Sequence, residues 1–112
     1  MTSDERGMFL YRSGVYTKVN PSEISYVKSN DNYCKVVFEK SDPILIRTTM
    51  KQMETTLSDM QFVRCHRTYI INADKVDAID KSSLEIKLKD ETVIPFSRAK
   101  KKSVLERVAL DK

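Results

Sequence analysis

The stretch that most constrains this chain is Phe62-Val63-Arg64-Cys65-His66-Arg67-Thr68-Tyr69-Ile70-Ile71-Asn72. Its ends are apolar and rich in β-branched and aromatic residues, a composition that favours buried strands. Between them Arg64, His66, Arg67 and Thr68 gather within five positions that hold no acid. Two strands anchored in a core fix whatever joins them in space. A fixed cluster of guanidinium, imidazole and hydroxyl groups suits the gripping of an anion. The plainer reading is a basic loop between two strands, solvated and without a ligand.

At 112 residues the chain reads as one domain, with residues 1–7 a tail and 8–110 the folded unit. A chain of this length buries roughly 65% of its unfolded surface, enough for a core without covalent staples. No run approaches the ~18 apolar residues of a membrane span, and the N-terminus lacks an apolar signal core. The expectation is a cytoplasmic protein with no membrane partner. Cys34 and Cys65 lie in different segments, and His66 is the single histidine. A zinc site would need a carboxylate ligand, so neither a metal, a cofactor nor a structural disulfide is expected.

Lys and Arg number 20 against 16 Asp and Glu, a formal net charge of +4. The excess is mild, so its distribution matters more. Asp74, Asp77, Asp80, Glu85, Asp90 and Glu91 interleave with Lys75, Lys81, Lys87 and Lys89, whereas residues 64–68 and 97–102 hold bases only. A nearly balanced chain that segregates its positive charge presents a face for nucleic acid or acidic lipid.

The pattern along the chain predicts short strands over Met8–Tyr11, Val15–Val19, Ile24–Val27, Tyr33–Phe38 and Ile44–Arg47, with a polar loop over Lys28–Asn32. Further strands are expected at both ends of the 62–72 stretch, then over Val76–Ile79, Leu84–Leu88 and Thr92–Phe96. Pro95 puts the last of these at a sheet edge or at its own end. Thr49 with Gln52 forms a capping-box pattern, and Met50, Met53 and Leu57 line one face of a helix over Met50–Ser58. Ser97 is expected to cap a second helix from about Arg98, with Val104, Leu105 and Val108 as its apolar stripe. The fold class is mainly β: small antiparallel sheets with two short helices.

That second helix would start among Arg98, Lys100, Lys101 and Lys102. Cations are disfavoured at a helix N-terminus, so their concentration there points to a bound anion. Catalysis finds little support. The two glycines, Gly7 and Gly14, make no phosphate loop, and Cys65 and His66 would face opposite ways on a strand. Cys65 reads as a small core filler and His66 as a hydrogen-bonded structural histidine.

The 62–72 stretch, followed by Val93-Ile94-Pro95-Phe96-Ser97-Arg98, resembles the LytTR DNA-binding domain, mostly bacterial transcription-factor output domains joined to a receiver domain. Ser22-Glu23-Ile24-Ser25-Tyr26-Val27, and Thr48-Thr49-Met50 leading into Met53-Glu54-Thr55-Thr56-Leu57, add to the likeness, which covers about residues 8 to 108. The resemblance implies an elongated arrangement of small antiparallel sheets that inserts loops, rather than a recognition helix, into major grooves of duplex DNA. It implies base contacts by Arg67 and Arg98, and phosphate contacts by Arg64, Thr68, Lys100, Lys101 and Lys102. The segment Asn30 to Lys35 matches a further DNA-contacting region. There Asn32 and Tyr33 are the base candidates, Cys34 is the other possibility, and Lys35 is a phosphate contact. The resemblance also implies paired direct repeats on DNA, two copies of the domain bound there, and a receiver domain in the full-length protein.

The alternatives are a protein- or acidic-lipid-interaction module using the same basic face, and a Cys65-based enzyme or redox switch. The first would bind anionic surfaces without ranking DNA sequences. The second needs a depressed thiol pKa.

Overall fold

The computed structural model describes residues 7–58 and 61–108. Within them the strands are β1 (Met8–Arg12), β2 (Val15–Val19), β3 (Ile24–Asn30), β4 (Tyr33–Phe38), β5 (Ile44–Ile46), β6 (Phe62–His66), β7 (Tyr69–Asn72), β8 (Val76–Asp80), β9 (Glu85–Leu88) and β10 (Val93–Pro95). Helix α1 (Met50–Thr56) lies between β5 and β6, and α2 (Lys101–Val108) closes the described chain. The strands form three antiparallel sheets: β1-β2, β10-β9-β8, and a central one in the order β5-β4-β3-β7-β6. The molecule extends 43 × 36 × 24 Å.

The 62–72 stretch forms the wall between two cores. Phe62 and Ile70 join Val27, Val36, Met50, Met53 and Leu57 on one side. Val63, Cys65 and Ile71 join Ile86, Leu88, Ile94, Phe96 and Val104 on the other. Strand alternation produces this directly, because successive side chains point to opposite faces. Strands covered on both faces carry apolar residues at successive positions, which is why Ile70-Ile71 appears as a run. Asn72 is the polar exception: it is fully buried, and its amide donates to the Ile24 carbonyl at 2.8 Å, joining β7 to the start of β3.

Helix α1 carries the expected capping box, with the Gln52 N–H donating to Thr49 Oγ1 at 3.0 Å and the Thr49 N–H to Gln52 Oε1 at 3.4 Å. Met50, Met53 and Leu57 are its buried face. Pro95 sits on β10, an edge strand, where its missing N–H disturbs no inner ladder.

Three local expectations need correction. The polar loop over Lys28–Asn32 is mostly strand: β3 runs to Asn30, and Asp31 and Asn32 alone make the turn. Polar residues there belong to a strand end that leaves the core, and Asp31 adopts a φ of 56°, which Asp tolerates better than most residues. The second helix does not begin at Arg98. Arg98–Lys100 is a 3-10 turn and α2 starts at Lys101, and Ser97, though extended as a cap should be, makes no side-chain cap bond. Instead the Ser97 N–H donates to the Cys65 carbonyl at 3.0 Å, fastening the turn to β6. Leu84 belongs to the turn before β9, with a φ of 58°.

Candidate nucleic-acid interface

Two backbone hydrogen bonds bring the candidate segments to one end of the central sheet. The Ser29 N–H donates to the Thr68 carbonyl at 3.0 Å, setting the β3–β4 hairpin beside the β6–β7 turn. The Ser97 N–H donates to the Cys65 carbonyl, setting the Arg98–Lys100 turn beside the same strand. Arg107 completes that seam, its Nη2 donating to the Phe62 carbonyl at 3.0 Å. The open edge of β6 is thus covered by α2 and its leading turn, as an exposed sheet edge requires. Asn32, Arg67 and Arg98 sit on three segments joined by these bonds, and all three side chains are exposed.

Side chains organise the β6–β7 turn. The Thr68 N–H donates to His66 Nδ1 at 3.2 Å, and Thr68 Oγ1 lies 3.0 Å from the same nitrogen. The His66 ring meets the edge of Tyr69 at 6.0 Å between centroids, and Lys28 Nζ lies 5.7 Å from the Tyr69 ring. His66 therefore has the hydrogen-bonded structural role expected of it. Lys28 pairs across the ladder with both Lys35 and Tyr69, so two lysines and an aromatic ring adjoin one another on the sheet. Sequence reading passed over Lys28 because it lay in a segment taken for loop. Three successive polar residues, Lys28-Ser29-Asn30, carry no alternation, and partners on β4 and β7 are what hold them in β3.

Arg64 differs from the other basic residues. Its Nη1 donates to Glu54 Oε1 on α1 at 2.8 Å, its Nε to the His66 carbonyl at 2.9 Å, and its Nη2 to the Arg67 carbonyl at 2.7 Å. Among the described residues, Arg67, Arg98, Lys100, Lys101 and Lys102 are in no ion pair. On the β10-β9-β8 sheet Lys87 lies 3.7 Å from both Asp77 and Glu91, and in the turn before β8 Lys75 is 2.9 Å from Glu39. Lys87 thus has acidic neighbours on two sides, whereas the bases of the Arg67 and Arg98 turns have none within ion-pair distance among the described residues.

The sequence pattern of the LytTr DNA-binding domain matches residues 14–109. This chain belongs to the LytTr family. The sensory transduction protein LytT of Oceanobacillus iheyensis is 27% identical over 93 residues, covering 79% of this chain and 38% of that protein. The chain thus spans well under half of that relative's length. A solved LytTr DNA-binding domain, from a Bacillus cereus protein described as a methyl-accepting/DNA response regulator, shares the fold. It superposes with a TM-score of 0.76 at 20% identity, covering 93% of this chain and 97% of that one.

Membership makes this chain a LytTr DNA-binding domain, and neither thiol has the lowered pKa of a nucleophile. Burial pushes Cys65 up to about 12, and its Sγ lies 3.8 Å from the Tyr69 and Pro95 carbonyls. A nucleophilic thiol is shifted the opposite way. Cys34 is likewise raised by burial, packed 3.6 Å from Met50 Sδ. No helix among the described residues is long and apolar enough to cross a membrane.

Proposed function

We propose that this LytTr domain reads duplex DNA in the major groove with Arg67 and Arg98, and that Asn32 and Tyr33 at the β3–β4 hairpin supply a further base contact. Arg is the side chain that matches guanine O6 and N7 bidentately, giving ~1–3 kcal/mol of discrimination per good pair. Thr68, Lys35, Lys100, Lys101 and Lys102 hold phosphates and set the register. Lys28, exposed and across from Lys35, joins that set. The observation that carries the reading is the pair of backbone bonds from Ser29 and Ser97, which join three base-bearing segments into one surface. In the cell the domain acts as the output of a cytoplasmic response regulator with a receiver domain, two copies binding paired direct repeats.

The test is selection of bound duplexes from a random pool, with affinities of the winners taken at two salt concentrations. A recurring motif, expected as a direct repeat, should be preferred over random DNA by ~10³ or more. Flat enrichment, with binding that vanishes as salt rises and equal binding to anionic vesicles, would replace this reading with a general polyanion surface.

A further inference from the structure

We infer that Arg64 is a positioning residue of the base-reading turn, its guanidinium joining Glu54 on α1 to the His66 and Arg67 carbonyls so that Arg67 is presented in one orientation. The inference rests on the proposed reading of DNA by Arg67, and it changes the role that family resemblance gives Arg64.

Three of the five N–H groups of Arg64 already have protein acceptors, at 2.7–2.9 Å. Its side chain is 17% exposed, and its position on β6 pairs with the buried Ile70 of β7. A phosphate would have to take the fork away from these partners. The bonds also fall where the backbone is least self-sufficient. The β6–β7 register shifts between Arg64 and His66, so the ladder is irregular just before the turn. The fork spans that irregularity and fixes two successive carbonyls, the second belonging to Arg67 itself. A planar fork can bind three acceptors at set angles, which a lysine ammonium on a flexible stem cannot reproduce.

Glu54 supports the same conclusion. An acid close to a surface built for a polyanion lowers affinity for every DNA sequence. Its carboxylate is 46% exposed, so burial does not account for it, whereas anchoring Arg64 does. Helix α1 therefore acts on the turn through this ion pair. Two variants separate the two roles. If Arg64 held a phosphate, Arg64→Lys would bind DNA nearly as the natural protein does, and Glu54→Ala would change selected-site and random affinity alike, leaving their ratio as it was.

The experiment compares the natural domain with Glu54→Ala and Arg64→Lys, first free and then on DNA. In the free protein, amide hydrogen exchange over residues 66–68 should quicken roughly tenfold in both variants, while amides of β3, β4 and β9 keep their rates. On DNA, the ratio of selected-site to random affinity should fall roughly fivefold or more, with the salt slope on random DNA unchanged. General destabilisation would instead lower both affinities together. Glu54→Ala lies at a partly exposed site and keeps the test decisive should Arg64→Lys fail to fold. Unchanged exchange over 66–68 in Glu54→Ala overturns the inference, as does a retained selected-site preference. If the natural domain ranks no sequence, the DNA reading of the site falls, and exchange alone decides whether Arg64 sets the turn.

Discussion

The β3–β4 and β6–β7 turns lie side by side at one end of the central sheet, joined by the bond from Ser29 to Thr68. The first is made by neighbours in sequence. Its ladder is regular from Tyr26↔Val37 through the last pair, Asn30↔Tyr33, and Asp31 supplies the left-handed φ that reverses the chain. The second loses register two residues before it turns and is held by side chains: the Arg64 fork, backed by Glu54 from α1, and the His66 ring that receives the Thr68 N–H. A turn built from its own ladder keeps its shape whatever surrounds it. A turn built from side chains is only as well placed as the elements supplying them. Arg67, one of the two arginines proposed to read bases, sits on the second kind.

Arg67→Ala should give the largest effect, a loss of ~1–3 kcal/mol of discrimination between selected and random duplexes, measured by competition binding. A retained ranking would remove the β6–β7 turn from base reading and leave Arg98 as the principal reader. Asp31→Ala should cost about 1 kcal/mol of stability in chemical denaturation, because alanine resists a φ of 56°. Asp31→Gly should cost little. Neither should alter the ranking that Arg67 provides; a change there would mean the two turns are mechanically coupled through Ser29.

His66→Ala should cost about 1 kcal/mol through the Thr68 N–H it leaves without its acceptor. The loosening should be confined to residues 66–68 by amide exchange, and spread to the β3–β4 hairpin would break the contrast. The two cysteines offer a finer probe, since Cys34 follows one turn and Cys65 precedes the other. Both thiols are raised by burial, so the reactive thiolate forms mainly when a hairpin opens. Glu54→Ala should accelerate alkylation of Cys65 in mildly alkaline buffer and leave Cys34 unchanged. Lys101→Ala should be the smallest, weakening all DNA alike and flattening the salt slope by about one unit.

Periodicity made the strands legible. Val15–Val19 and Tyr33–Phe38 run as their alternation says, and Thr49 with Gln52 marks the start of α1. Misplaced boundaries fell where tertiary bonds override local preference. Ser97 has the residue type of a helix cap, yet its backbone is drawn to Cys65, so the chain makes a 3-10 turn before α2. Lys28 and Asn30 look like loop residues but are held in β3 by partners on β4 and β7.

The clustering of Arg64, His66, Arg67 and Thr68, and of Arg98 with three lysines, was written in the sequence, because residue type and spacing are local properties. So was the need for buried strands on either side, because apolar runs must leave water. What each basic residue does was not written there. Arg64 and Arg67 are three positions apart and chemically identical, and which one turns inward depends on Glu54, ten residues away on α1, and on a register shift that only the paired strands reveal. A charged group's role is set by the acceptors within its reach, and those are gathered by tertiary structure.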